Sequence, residues 1–176
     1  MTRISPRLKT GAARVTTTAV QIGNLVESLS MSAPAGFAIG LHLTYTTPRY
    51  MFQSYPSAWQ QLYARNGFVM RDPTVHWGLA NEGWIGWSDL PDSDPDGIIQ
   101  LAASHGMAHG VTVAVAARGS RSIASFARAD RAFTAAEADT IRVRVADLHD
   151  LTFSIHALPA ALHDLLRRLS IILTQG

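Results

Sequence analysis

The chain has 176 residues, 47% hydrophobic and 16% charged, with a formal net charge of +2 and no cysteine. That length suits one domain with a sizeable core, and the composition excludes a disordered chain. The small net charge leaves no nucleic-acid footprint, and without cysteine there is no disulfide, thiolate metal site or cysteine nucleophile. Arg3, Arg7, Lys9 and Arg14 stand without an acid between them, which reads as a basic, solvated tail over residues 1–16. No apolar run approaches the ~18 residues that a membrane span needs, and no apolar signal core opens the chain. The expectation is a soluble, cytoplasmic domain.

Ile22, Leu25, Val26 and Leu29 repeat at helical spacing and predict an amphipathic helix over 17–31, ended at Ala33-Pro34-Ala35-Gly36. GFAIGLHLTY (36–45) reads as a strand, and Tyr50 to Ser54 as its antiparallel return. Pro56 can open a helix without losing a needed donor, and Trp59, Leu62 and Tyr63 share one face of it. Asn66-Gly67 is a helix stop, and Asp72-Pro73 starts a short helix whose N-terminal dipole suits the carboxylate.

Asp92 to Gly97 is an acidic loop in which Asp96 is a candidate cap for a helix from Gly97 to His105. Gly110 to Ala117 and Arg121 to Arg128 read as two strands turning at Gly119-Ser120. That turn predicts Ala114 opposite Ser125, Thr112 opposite Ala127 and Ala116 opposite Ile123. One face then carries mostly small side chains, and Val111, Val113, Val115, Ala124 and Phe126 share the other. Thr134 and Glu137 form a capping box opening a long helix to about Leu158, with Ile141, Val145, Leu148 and Ile155 as its buried stripe. A last amphipathic helix spans 159–176, with Leu162, Leu165, Leu166, Leu169 and Ile172 on one face. The whole predicts an α+β fold with an antiparallel sheet between helical layers.

Several chemical signals dissolve on inspection. Asp92, Asp94, Asp96 and Gly97 mimic the start of a calcium loop, but its twelfth position is Ala103. His105 and His109 have zinc spacing, yet glycines interrupt the helix and no third ligand follows. No nucleophile elbow is present. No catalytic or metal-ligating residue is assigned.

One constellation resists that treatment. Tyr55, Trp59 and Tyr63 repeat every four residues, Asp72-Pro73 follows, and Trp87 adds another large flat surface. Three aromatics alone would read as core. A carboxylate beside them must be satisfied by donors if buried, and tyrosine and tryptophan both carry polar handles. The pattern Tyr55-x3-Trp59-x3-Tyr63, Asp72-Pro73, Trp87, then Gly106-x3-Gly110-x-Thr112 resembles the autoinducer-binding domain of LuxR-type quorum-sensing regulators, over roughly 17–157.

The resemblance implies an α-β-α sandwich with a five-stranded antiparallel sheet, and an N-acyl-homoserine lactone as ligand, with no other cofactor. It implies that the Trp59 indole donates to the lactone carbonyl, that Asp72 accepts the amide N–H, and that Tyr55 donates to the amide carbonyl with help from Ser125. Trp87 would pack on the lactone ring and Tyr63 on the ligand's flank. Gly40, Met51, Val75 and Thr112 are candidates for the acyl-chain wall. Where the family often has proline, this chain has Ala114. The segment from Leu158 faintly resembles the start of the family's helix-turn-helix domain, which does not follow, so no direct DNA contact is expected. The resemblance further implies a homodimer, or a heterodimer with a LuxR-type regulator, with the leucine face of the last helix as a candidate interface. The competing expectation is a ligand-independent interaction module, its pocket closed, that antagonises a full-length regulator.

Overall fold

The alternation in GFAIGLHL divides the fold in two: Phe37, Ile39 and Leu41 are fully buried on one sheet face, while Ala38 and Gly40 present small side chains to the other. The computed structural model describes residues 6–91, 94–156, 158, 160–169 and 171–175. Its strands are β1 (Gly36–Thr44), β2 (Thr47–Gln53), β3 (Gly83–Gly86), β4 (His109–Ala117), β5 (Ser120–Arg128) and β6 (Ile172–Gln175). Its helices are α1 (Pro6–Ser32), α2 (Ser57–Arg65), α3 (Pro73–Ala80), α4 (Ile98–Ser104), α5 (Ala135–Phe153) and α6 (Ala160–Arg168). The strands form one antiparallel sheet in the order β3-β4-β5-β1-β2-β6. The fold is α+β, with helices on both sides of the sheet.

On one side α1, α5 and α6 close over Phe37, Ile39, Leu41, Tyr50, Phe52, Val111, Val113 and Phe126, the main hydrophobic core. On the other side α2, α3 and α4 stand over a smaller cluster built on Trp59, Phe68, Trp87, Ile98, Ala102 and Met107. Arg128 ties the layers together, donating to Glu137 Oε1 at 3.2 Å and to the Ser32 carbonyl at 3.0 Å while lying over the Phe133 ring at 3.9 Å. Glu137 completes the predicted capping box, and its carboxyl is held well below the usual range by Arg131 first and then by the Thr134 backbone. Among the described residues no helix is long and apolar enough to cross a membrane.

The structure departs from the sequence reading in several places. The sheet has six strands, not five, because Ile172–Gln175 pairs with β2. Ile172 therefore lies opposite Gln53 in a ladder, not on the leucine face of a helix. That leucine face is not free for a partner either: Leu162 and Leu166 are buried in the main core, and Leu165 lies where a Cβ on Gly23 of α1 would be. The first helix begins at Pro6, within the stretch read as a tail, whose residues 1–5 lie outside the described residues. Asp92 of the acidic loop, and Pro159 and Gly176 of the last predicted helix, lie outside them as well. α5 ends at Phe153, and Ile155 follows it, its carbonyl accepting the Tyr50 hydroxyl at 2.5 Å. Asp94, not Asp96, caps α4 by accepting from the Ile98 and Ile99 amides, each at 2.8 Å. Asp96 pairs with Arg71 instead.

The β4–β5 turn is centred on Arg118 and Gly119, both at positive φ (54° and 72°), which is the tight hairpin geometry that matches strand twist. Thr112 consequently lies opposite Ser125 and Ala114 opposite Ile123, two residues away from the predicted register. An even slip preserves which face each side chain takes, so the small-residue face stands as predicted.

A buried histidine pair fastens β1 and β5 to α5. His42 sits at φ 55°, where the β1–β5 ladder ends, and its amide donates to the Ser122 hydroxyl at 3.1 Å. The Thr152 hydroxyl donates to the Leu148 carbonyl at 2.7 Å, so its oxygen accepts from His42 Nε2–H at 2.8 Å, and Nδ1 accepts from Ser120 at 2.9 Å. His149 lies 4.6 Å away, ring to ring, bonded to Ser122 at 2.7 Å. Burial, then His149 and Arg49, lowers the His42 pKa to about 4, and burial lowers that of His149. A base depressed in the fold contributes stability while neutral. That stability is complete above the unfolded value of about 6.5 and is lost as pH falls toward 4. Urea unfolding is expected to show the domain about 2 kcal/mol less stable near pH 5 than near pH 7.5. His42→Asn, which tolerates the same backbone, should flatten that dependence.

Candidate functional site

Each wall of the second helical layer is placed by a local device. Pro56 precedes α2, and the i, i+4 spacing brings Trp59 and Tyr63 together with ring centroids 5.7 Å apart. Gly67, at φ 60°, ends that helix and turns the chain so that Phe68 packs edge-on to Tyr63 at 5.8 Å. Asp72 then caps α3, with Pro73 at the first helical position. Its Oδ1 accepts from the Thr74 amide at 2.8 Å and the Thr74 hydroxyl at 2.7 Å, and its Oδ2 accepts from the Tyr63 hydroxyl at 2.8 Å.

Behind these groups a hydroxyl chain crosses the β4–β5 pair. The Trp87 indole donates to Thr112 Oγ1 at 3.0 Å, and the Thr112 and Ser125 hydroxyls lie 2.8 Å apart. The Tyr55 hydroxyl donates to the Ser125 carbonyl at 3.1 Å. Trp87 lies flat against Gly110, where any Cβ would collide with the indole. Burial, reinforced by the Asp72 charge, pushes the Tyr55 and Tyr63 phenols far above their ordinary range, so both remain protonated donors.

Between this layer and the small-residue face of the sheet lies a cavity of about 660 Å³. Of the residues singled out in the sequence, Tyr55, Trp59, Tyr63, Asp72, Val75, Trp87 and Ser125 line it, as do Gly40 and Met51. Thr112 does not. It is fully buried behind the wall, where it holds Trp87 and Ser125 in place. Trp59, Asp72 and Trp87 are 5, 7 and 8% exposed. Among the described residues none accepts the Trp59 indole N–H. Ile98, Ile99 and Ala102 of α4, Ile123 of β5 and Gln53 of β2 also line the cavity and were not singled out. For Ile98, Ile99 and Ala102 the only sequence signal is apolar helical spacing, which is equally a core signal. Among the described residues no three metal-ligating side chains cluster. His105 instead bonds the Leu101 carbonyl at 2.9 Å and lies 5.4 Å from Trp59, ring to ring.

Residues 35–157 match the autoinducer binding domain family. The chain belongs to that family. A stretch of 88 residues is 31% identical to the transcriptional activator protein VanR of Vibrio anguillarum, covering 48% of this chain but only 37% of VanR. The chain thus spans little more than a third of that relative. Among solved structures the fold is similar to CepR2 of Burkholderia cenocepacia, described as an N-acylhomoserine lactone dependent LuxR family transcription factor. The TM-score is 0.51 at 16% identity, covering 79% of this chain and 96% of that one. It is also similar to Escherichia coli SdiA in complex with octanoyl-rac-glycerol, with a TM-score of 0.61 at 15% identity, covering 90% and 72%. The chain is therefore an autoinducer-binding domain, and that family is a ligand-binding rather than an enzyme family.

Two substitutions probe how this autoinducer-binding domain builds its wall. Thr112→Val keeps the shape but strips the partner from the Trp87 indole and from Ser125, and should cost about 1–3 kcal/mol in denaturant unfolding. Gly110→Ala is expected to displace Trp87, read as a shifted tryptophan emission together with a lowered melting temperature.

Proposed function

We propose that this domain senses an N-acyl-homoserine lactone or a close amphipathic analogue, and that Trp59, Asp72, Tyr55 and Ser125 read its polar head. The observation that carries the reading is the unspent hydrogen-bonding capacity in the cavity wall. A carboxylate offers about four acceptor sites. Thr74 and Tyr63 use three of those on Asp72, leaving one for a ligand N–H. The Trp59 indole N–H has no protein acceptor among the described residues, so it suits a lactone carbonyl. Thr112 accepts from Trp87, so its own proton is available to Ser125, and the Ser125 proton is then free for the ligand's amide carbonyl. Tyr55 joins in by releasing the Ser125 carbonyl.

Trp87, fixed by its own hydrogen bond, offers a flat surface for the lactone ring, and Val75, Met51 and Gly40 flank the chain. Tyr63 acts through Asp72 more than through the ligand, because its proton is committed to the carboxylate. A cavity of this size falls in the ordinary range for small-molecule sites and weighs against a sealed interaction module. The lactone dependence of CepR2 and the octanoyl glycerol in SdiA support the same chemical class: a compact polar head on an acyl chain. In this reading the domain works inside a homodimer or beside a LuxR-type regulator, and the bound signal is what alters transcription.

Isothermal titration with lactones of graded chain length tests the reading. Saturable binding by at least one is expected, with Trp59→Phe about five- to tenfold weaker and Asp72→Asn about tenfold weaker or more. Failure of every lactone to bind or to raise the melting temperature would overturn it.

A further inference from the structure

Burial changes sharply along the cavity. At its polar end Trp59, Asp72 and Trp87 are nearly inaccessible, and Trp87 lies against Gly110, in the row that pairs with Ala127 and Gly36. Eight residues further along β1, at the pair Thr44 and Thr47, the wall is open: Thr47 and Thr174 are exposed and Thr46 is half-buried. The cavity-lining residues of β1 run from Ala38 to Leu43, roughly 17 Å along the strand at about 3.3 Å per residue. The stretch between the two ends is apolar, with Gly40, Leu43, Pro48, Met51 and Ile123. Thr174 reaches the mouth because β6 pairs with β2, which places it directly opposite Met51 on the cavity face. Among the described residues Asp72 is the only charged side chain lining the cavity, and the lining residues at the mouth, Thr46, Thr47, Thr174 and Gln175, are polar and uncharged.

We propose that the cavity is a tunnel closed at the head end and open at the tail end, suited to a ligand polar at both ends. The head lies at Trp59 and Asp72, the chain runs along β1 and β2, and a neutral hydrogen-bonding group at the chain terminus meets water, Thr47 and Thr174. The proposal rests on reading this cavity as the signal site. Its physical basis is desolvation. A hydroxyl on the end of a chain is expelled from a sealed apolar pocket but costs nothing where the pocket opens to water among hydroxyl side chains.

The test uses three probes on the full chain: N-hexanoyl-homoserine lactone, N-dodecanoyl-homoserine lactone, and the dodecanoyl compound with a hydroxyl on its terminal carbon. The two dodecanoyl probes are expected to bind within about threefold of each other, whereas a sealed tail pocket would reject the hydroxylated one by about tenfold or more. Thr174→Trp, which plugs the mouth, should lower the ratio of dodecanoyl to hexanoyl affinity by about tenfold. A tenfold loss on hydroxylation in the unmodified chain, or a ratio unchanged in Thr174→Trp, would overturn the tunnel and leave the sensor reading standing. If none of the three probes binds while a lactone of another chain length does, the tunnel is overturned and the sensor reading stands; if no lactone of any length binds, both fail.

Discussion

The Asp72 carboxylate is the constraint on which the site depends. It caps α3 through the Thr74 amide, holds the Thr74 hydroxyl, and accepts a hydrogen bond from the Tyr63 hydroxyl, so one buried carboxylate connects α2 to α3 across the intervening turn. An anion only 7% exposed persists because charge-assisted donors replace most of its water. The helix dipole of α3 adds to them from the N-terminal side. One acceptor site of the carboxylate remains open toward the cavity, so in the proposed reading the same two oxygens carry both the structural and the binding role.

The sheet separates what holds the fold from what leaves room. The face toward α1, α5 and α6 carries Phe37, Ile39, Leu41, Phe52, Val111, Val113 and Phe126, all fully buried. The opposite face carries Ala38, Gly40, Thr112, Ala114 and Ser125, too small to fill the space beneath α2 and α3. A void of this size inside a single core would forfeit many dispersion contacts. Here the main core is continuous without it, and a ligand filling the second layer would add stability by mass action, growing with the logarithm of its concentration over Kd.

Most of this was legible in the chain because it is written as short-range pattern. The amphipathic spacing of α1, α5 and α6, the capping box at Thr134 and the aromatic repeat at Tyr55, Trp59 and Tyr63 all report which faces are apolar, and the structure places them accordingly. Elements whose formation depends on distant partners were not legible. β3 is four residues long and exists because β4 offers an edge, and β6 exists because β2 does. Ile172 scans as one more residue on a leucine face and is instead a strand residue 47% exposed. Ile98, Ile99 and Ala102 scan as core residues of a short helix, which they are; that they also border a cavity depends on α4's placement relative to the sheet. The acidic loop shows the same limit at smaller scale: Asp96 reads as the cap, and only the path of the loop gives that role to Asp94.

The hairpin shows how local chemistry far from the cavity sets the chemistry inside it. Whether the turn is centred on Arg118-Gly119 or one residue later makes no difference to which face Thr112 and Ser125 occupy. It decides whether they are opposite each other. In the observed register they are, in a pair close enough for their hydroxyls to bond at 2.8 Å, and the Trp87 indole is anchored through that pair. In the later register Thr112 would face Ala127, Trp87 would hold an isolated hydroxyl, and the Ser125 proton would have no oriented neighbour. Arg118 accepts a left-handed backbone, unusual for a residue with a β-carbon, in order to make that tighter turn. It is supported in doing so by its guanidinium lying over the Phe153 ring at 5.3 Å. The orientation of the Trp87 indole and the Ser125 hydroxyl therefore depends on a surface turn as well as on the residues that line the cavity.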